Sequence, residues 1–207
     1  MLVLGCSFGF TSCSDDDDPK LPEEVTTETM AGNYTGRMIS LTASPTEGDD
    51  NAEETPEGVE VKAQVANDTI YLEQFPINDI VLSIVGDKTV ADNIVKAVGD
   101  VNYNIGYKPE LTQEKDSIRM VLDPKPLHLA IELPASNENE EPQTLQITVN
   151  VKAGENAGYD IESANMKFYF GATEVLLGEG ENQQALPGFR PTTFHFNMDK
   201  HYVSHNK

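Results

Sequence analysis

From Gly32 onward, apolar and polar residues alternate with a period of two through most of the chain, as they do in strands with one buried and one solvated face. Val59, Val61, Ala63 and Val65 alternate with Glu60, Lys62, Gln64 and Ala66, and Asn67-Asp68 then reads as a hairpin turn into Ile70 and Leu72. The pattern returns at Val101, Tyr103, Ile105 and Tyr107, at Ile118, Met120 and Leu122, and at Leu127, Leu129, Ile131 and Leu133. It is clearest where Leu145, Ile147, Val149 and Val151 alternate with Gln146, Thr148, Asn150 and Lys152. Met166, Phe168 and Phe170 form one further face, and Phe194, Phe196, Met198 and Tyr202 another. With the opening stretch Met30 to Leu41, about nine strands are predicted.

Ile77 to Val98 departs from this period. Ile77, Ile80, Val81, Ile84 and Val85, then Val90, Ile94, Val95 and Val98, recur at helical spacing. Gly86-Asp87-Lys88 divides the segment and Gly99 ends it, which predicts two short amphipathic helices. Valine and isoleucine are poor helix formers, so packing on the sheet must supply most of the stability of this pair. The expected fold is mainly β, an antiparallel meander closed as a barrel or folded as a sandwich, with a two-helix insertion around residues 77–98.

In the opening strand, Gly32, Tyr34 and Gly36 of "MAGNYTGRMISL" resemble the Gly-x-Trp or Gly-x-Tyr first strand of lipocalin- and calycin-like domains, including calycin-like lipoproteins of Bacteroides-type bacteria. The resemblance implies a barrel with an internal ligand cavity, and Tyr34, Tyr103, Phe168 or Phe196 would line it. The helical pair between the third and fourth strands departs from an uninterrupted eight-stranded meander.

The N-terminus obeys a different logic. Met1 to Ser12 carries no charged side chain and is too short to span a bilayer, which takes roughly 20 apolar residues. Small residues at Thr11 and Ser12 precede Cys13, which resembles the lipobox of bacterial lipoproteins, whose cysteine receives diacylglycerol and becomes the first residue after cleavage. Phe10 stands where the lipobox usually has Leu, and no Lys/Arg segment precedes the apolar run, so a start upstream of Met1 is expected. Lipidation at Cys6 is the rival, but it would leave Phe8 to Phe10 in the mature tail. Ser14, Asp15, Asp16, Asp17 and Asp18 resemble the acidic tract that marks export of such lipoproteins to the outer face of the outer membrane. Like charges, Pro19 and Pro22 also make an open spacer without any sorting role. The expected organisation is a signal peptide over 1–12, an acidic flexible tether over 13–31 and one β-rich domain over 32–204.

Charge narrows the partners. With 35 acidic against 14 basic side chains in 207 residues, the net charge of −21 opposes nucleic-acid binding, which depends on Lys and Arg neutralising phosphates. It also keeps the domain off anionic headgroups, so membrane attachment must come from a covalent or apolar anchor. Cys6 and Cys13 both precede the folded pattern, so the body holds no disulfide, thiolate metal site or cysteine nucleophile. The acidic stretches Glu47 to Glu57 and Glu138 to Glu141 lack the alternating order of a calcium loop. His128 and His195 fall on the polar parity of their strands, and His201 and His205 sit near the C-terminus, so surface histidines are expected. No nucleophile elbow, phosphate loop, dinucleotide fingerprint or zinc-protease motif occurs. Neither catalytic residue, metal nor cofactor is therefore assigned. Asp68-Thr69-Ile70 and Asp116-Ser117-Ile118 resemble the acceptor of O-glycosylation in Bacteroides-type secreted proteins, which makes Thr69 and Ser117 candidate modification sites, detectable as a sugar increment in intact mass.

These readings converge on a non-enzymatic, lipid-anchored outer-membrane protein facing the cell exterior. Its domain would bind a small apolar or glycan ligand or a surface protein. An adhesin or structural component of a surface assembly is one alternative. A carbohydrate-active hydrolase is another; it would need two convergent carboxylates, and the absence of Trp leaves only Tyr and Phe for stacking on sugars.

Overall fold

The computed structural model of the protein describes residues 24–43, 58–133 and 143–201. Among them eleven strands form one antiparallel sheet: β1 (Gly32–Thr42), β2 (Val59–Ala66), β3 (Thr69–Glu73), β4 (Tyr103–Leu111), β5 (Ser117–Pro124), β6 (Leu127–Leu133), β7 (Gln143–Ala153), β8 (Ala157–Asp160), β9 (Asn165–Leu177), β10 (Gln184–Ala185) and β11 (Thr192–His201). Helices α1 (Asn78–Val85) and α2 (Lys88–Val98) lie between β3 and β4.

The sheet closes. β11 pairs with β1 on one side and β9 on the other, so the two ends of the meander meet and the sandwich alternative is set aside. β5 pairs with β8 while β6 pairs with β7, so β5–β6 and β7–β8 are each one long stave with a break. The result is an eight-stave, up-and-down antiparallel barrel. Pro124 and Pro126 flank the first break, where a ladder donor is lost. Gly154 and Asn156, the latter at φ +59°, form the second. Pro109 is tolerated inside β4 because its side of the strand runs past the end of β3: the Tyr107 N–H already bonds back to the Asp68 carbonyl in the turn.

Local chemistry explains the turns and helix ends. Asn67 and Asp68 both take left-handed φ, 51° and 53°, as a two-residue hairpin with right-twisted strands requires. Gly86 caps α1 at φ 70° and donates to the Leu82 carbonyl, the Asp87 carboxylate caps α2 by accepting from the Val90 N–H, and Gly99 stops it. Ile80 and Val81 are buried, and Ile84, Ile94 and Val98 pack partly against the core, with α2 lying over β6. Val90, counted with the apolar stripe in the sequence, is instead about half exposed, because it occupies the first turn of α2.

The folded body starts earlier than the alternation predicts. Residues Thr27–Met30, placed by sequence in the tether, form a 3-10 turn capped by the Thr26 hydroxyl, and Met30 is only 1% exposed. The buried Tyr34 hydroxyl donates to the Met30 carbonyl, and Lys200 Nζ donates to the Thr29 carbonyl at 2.7 Å. This turn is therefore bound to the wall of the barrel. Met1 to Glu23, with Cys6, Cys13 and Ser14 to Asp18, lies outside the described residues, as do the two acidic loops and His205.

Inward-facing positions follow the predicted parity. Val61, Ala63 and Val65, Ile118, Met120 and Leu122, and Met166, Phe168 and Phe170 are all buried. The four rings expected to line a ligand cavity do point inward, but they pack on other side chains. Phe168 and Phe196 stack at 4.5 Å, Tyr103 lies 5.4 Å from Phe170, and Tyr34 meets Tyr159 edge-on at 6.2 Å. Phe75, from the loop after β3, enters the same cluster within 6 Å of Tyr103, Phe170 and Phe194. Rings therefore pack on one another at this level of the barrel, where the calycin likeness implied a cavity. Burial pushes the Tyr103 hydroxyl far above its ordinary pKa, and it donates to the Lys125 carbonyl at the break between β5 and β6.

Candidate functional site

Strand pairing places one residue from each of seven staves or stave segments in a continuous row on the outside of the barrel. Glu60 on β2 pairs with Arg37 on β1, Arg37 with Asn197 on β11, and Asn197 with Lys167 on β9. Lys167 pairs in turn with Gly158 on β8, Gly158 with Arg119 on β5, and Arg119 with Glu110 on β4. Asn197, Lys167, Gly158 and Arg119 each stand between two buried neighbours, and Arg37, Glu60 and Glu110 are themselves exposed, so the row faces solvent. Three cations occupy its middle and a carboxylate stands at each end.

Gly158 removes a side chain between Lys167 and Arg119, and a groove of about 760 Å³ opens over it, edged by Val121, Asn156, Asn165 and Ser163. A second groove of about 420 Å³ continues from Asn156 and Lys167 across Asn197 to Arg37 and Ile39. Its wall is the Tyr169 ring stacked on His195, with centroids 5.0 Å apart and planes 18° from parallel. Tyr169 is braced from the other side: a Cβ on Gly154 would lie 2.4 Å from its ring, so only glycine admits it. On the opposite rim the Asn165 amide donates to Asn197 Oδ1 at 2.8 Å and to Asp199 Oδ1 at 2.7 Å. Rings, amides and cations thus line one polar surface on a rigid wall.

Two acids near the groove, Asp160 and Asp116, are engaged in their own turns, while Glu110 and Glu155 line the grooves. Hydrogen bonds from Ser163 hold the Asp160 carboxyl below the usual carboxylate range. The Thr112 hydroxyl does the same for Asp116, with Ser117 adding a second bond. A glycosidic general acid needs its pKa raised, the opposite direction. Among the described residues no group of three or more His, Cys, Asp or Glu side chains is placed to hold a metal ion.

The residues singled out in the sequence lie apart from one another. Thr69 opens β3, and its hydroxyl donates to the Asn67 carbonyl at 3.2 Å. Ser117 opens β5 with its hydroxyl on Asp116 at 2.9 Å, so it is tied into its own turn. His128 and His201 are exposed and meet Thr148 and Thr35 respectively, and among the described histidines His195 alone lines these two grooves. Arg37, Lys167, Arg119, Asn197 and Tyr169 were not recognised in the sequence. Their single signal there is a cation, amide or ring at the outward parity of a strand, which cannot reveal that register aligns them.

Comparison with known proteins yields little beyond the family. None of the curated proteins matches the chain. A solved structure of a protein of unknown function from Bacteroides ovatus is similar at 10% identity and a TM-score of 0.25, over 86% of this chain and 50% of that one. The chain therefore spans half the length of that structure. The model of a domain of unknown function, DUF4840, matches residues 29–177, from the N-terminal turn to the end of β9, and the chain belongs to that family.

Proposed function

We propose that this protein is a non-enzymatic binding domain, held by a lipid on Cys13 at the outer face of the outer membrane, which takes a glycan ligand on the outer wall of its barrel. The observation that carries the binding part is the contrast between a ring-filled interior and a continuous outer groove lined by Tyr169, His195, Asn156 and Asn197. Side-chain amides and a ring platform suit hydroxyl-rich sugars. A soluble full-length chain carrying Cys13→Ala should be retarded in native gels containing the matching extracellular polysaccharide. Asn197→Trp, which fills the wall between Arg37 and Lys167, should weaken that retardation at least tenfold while Tm stays within a few degrees. Unchanged retardation would refute the groove.

The anchoring part rests on Cys13 and the acidic tract behind it. Two or more acyl chains give durable attachment, since each buried methylene contributes about 0.8 kcal/mol. The native chain should label with palmitate and sediment with membranes, and Cys13→Ala should move it to the soluble fraction. Sedimentation of Cys13→Ala with membranes would end the anchoring proposal.

A further inference from the structure

We infer, resting on the groove reading above, that the ligand is an anionic polysaccharide whose carboxylate or sulfate groups are spaced along the row of Arg37, Lys167 and Arg119. Neighbouring strands lie about 4.8 Å apart, so Arg37 to Lys167 and Lys167 to Arg119, each two strands apart, set three cations at intervals of about 10 Å. That interval is about two sugar residues, so a chain charged on every residue or on every second one, laid around the barrel, brings an anion to each cation. The missing side chain at Gly158 leaves a recess between Lys167 and Arg119 into which one anion fits with a cation on each side.

Lys167 and Arg119 are available for this role. Both are exposed, and among the described residues neither lies within ion-pair distance of a carboxylate. Asp160 and Asp116, whose charges interact with Lys167 and Arg119, bond to hydroxyls of their own turns, and Glu110 stands directly across from Arg119 on β4. The net charge of −21 does not annul the row, because surface charges beyond about 8 Å are largely screened at physiological salt.

The test uses the full-length chain with Cys13→Ala and four polymers: polygalacturonate, dextran sulfate, neutral dextran and polyglutamate. The expected result is binding of polygalacturonate or dextran sulfate, but not of dextran or polyglutamate, with affinity falling as salt rises. Lys167→Ala and Arg119→Ala should each cost about tenfold, as lost charge-assisted hydrogen bonds do. Lys167→Arg should retain most of the affinity. Lys96→Ala, the same charge change on α2 away from the row, should leave it unchanged. Dextran binding that Asn197→Trp abolishes and Lys167→Ala leaves intact would overturn the anionic inference while sparing the groove. Preference for polyglutamate would overturn the assignment to a sugar polymer. Anionic binding that survives Lys167→Ala, Arg119→Ala and Asn197→Trp, or failure of all four polymers to bind, would overturn the inference, and the first of these outcomes would remove the groove reading with it.

Discussion

Gly36→Ala should lower the melting temperature by about 10 °C. A Cβ at this position would lie 2.1 Å from the Asn197 carbonyl oxygen and 2.6 Å from the Met198 Cα, both backbone atoms of β11. Backbone cannot swing aside as a side chain would, so relief requires parting β1 from β11, the seam that closes the barrel. Overpacking of this kind typically costs 1–3 kcal/mol and occasionally more, and the immovable partner puts Gly36 at about 3 kcal/mol. At about 2–4 °C per kcal/mol for a chain of this size, the expected shift follows. Thermal unfolding followed by circular dichroism measures it, and a shift of less than about 2 °C would mean that the seam is looser than described. Gly158→Ala is the useful contrast: its Cβ would sit 3.2 Å from the Ile118 carbonyl oxygen, a contact that a small adjustment absorbs.

Gly36 also shows what a sequence can and cannot convey about this fold. Gly32, Tyr34 and Gly36 form a motif legible in the sequence, and each has a physical task in the barrel: Gly32 takes φ +146° under the Lys200 side chain, Tyr34 ties down the Met30 carbonyl, and Gly36 lets two strands close. Alternation placed nine strands and their buried faces, because parity is a local property of one segment. It missed the four-residue β8 and two-residue β10, which are too short to show a period. Both helices and their caps were legible, since Gly86, Asp87 and Gly99 act on their own backbone. Closure was not, because whether β11 returns to β1 depends on twist and register summed over all eight staves. The outer row was hidden for the same reason. Arg37, Lys167 and Arg119 are far apart in the chain, and a slip of one residue in any pairing would send one of them to the other face.

Phe75→Ala should cost about 3–5 kcal/mol and open a cavity beside Tyr103, Phe170 and Phe194. Phe75 lies in the short loop between β3 and α1, outside any alternating run, and it is 3% exposed with its ring against Tyr103, Phe170 and Phe194. Truncation removes the whole ring, while the three partners stay fixed by their own strands, so the space cannot collapse fully. Apolar cavities of this kind stay dry and admit small aromatic molecules. The native protein should therefore show no benzene-dependent rise in melting temperature, whereas Phe75→Ala should melt about 10 °C or more lower and recover part of the loss in saturating benzene. The comparison decides where ligands go. If the native chain were itself stabilised by benzene or by a fatty acid, the interior would be open, and the carrier implied by the calycin likeness would displace the outer groove as the reading of function. If only the truncated variant responds, while its retardation by polysaccharide at low temperature matches that of the native chain, then the interior serves as a packed support. In that case the rings at the centre act on binding only by holding rigid the wall that carries Lys167, Asn197 and Arg37.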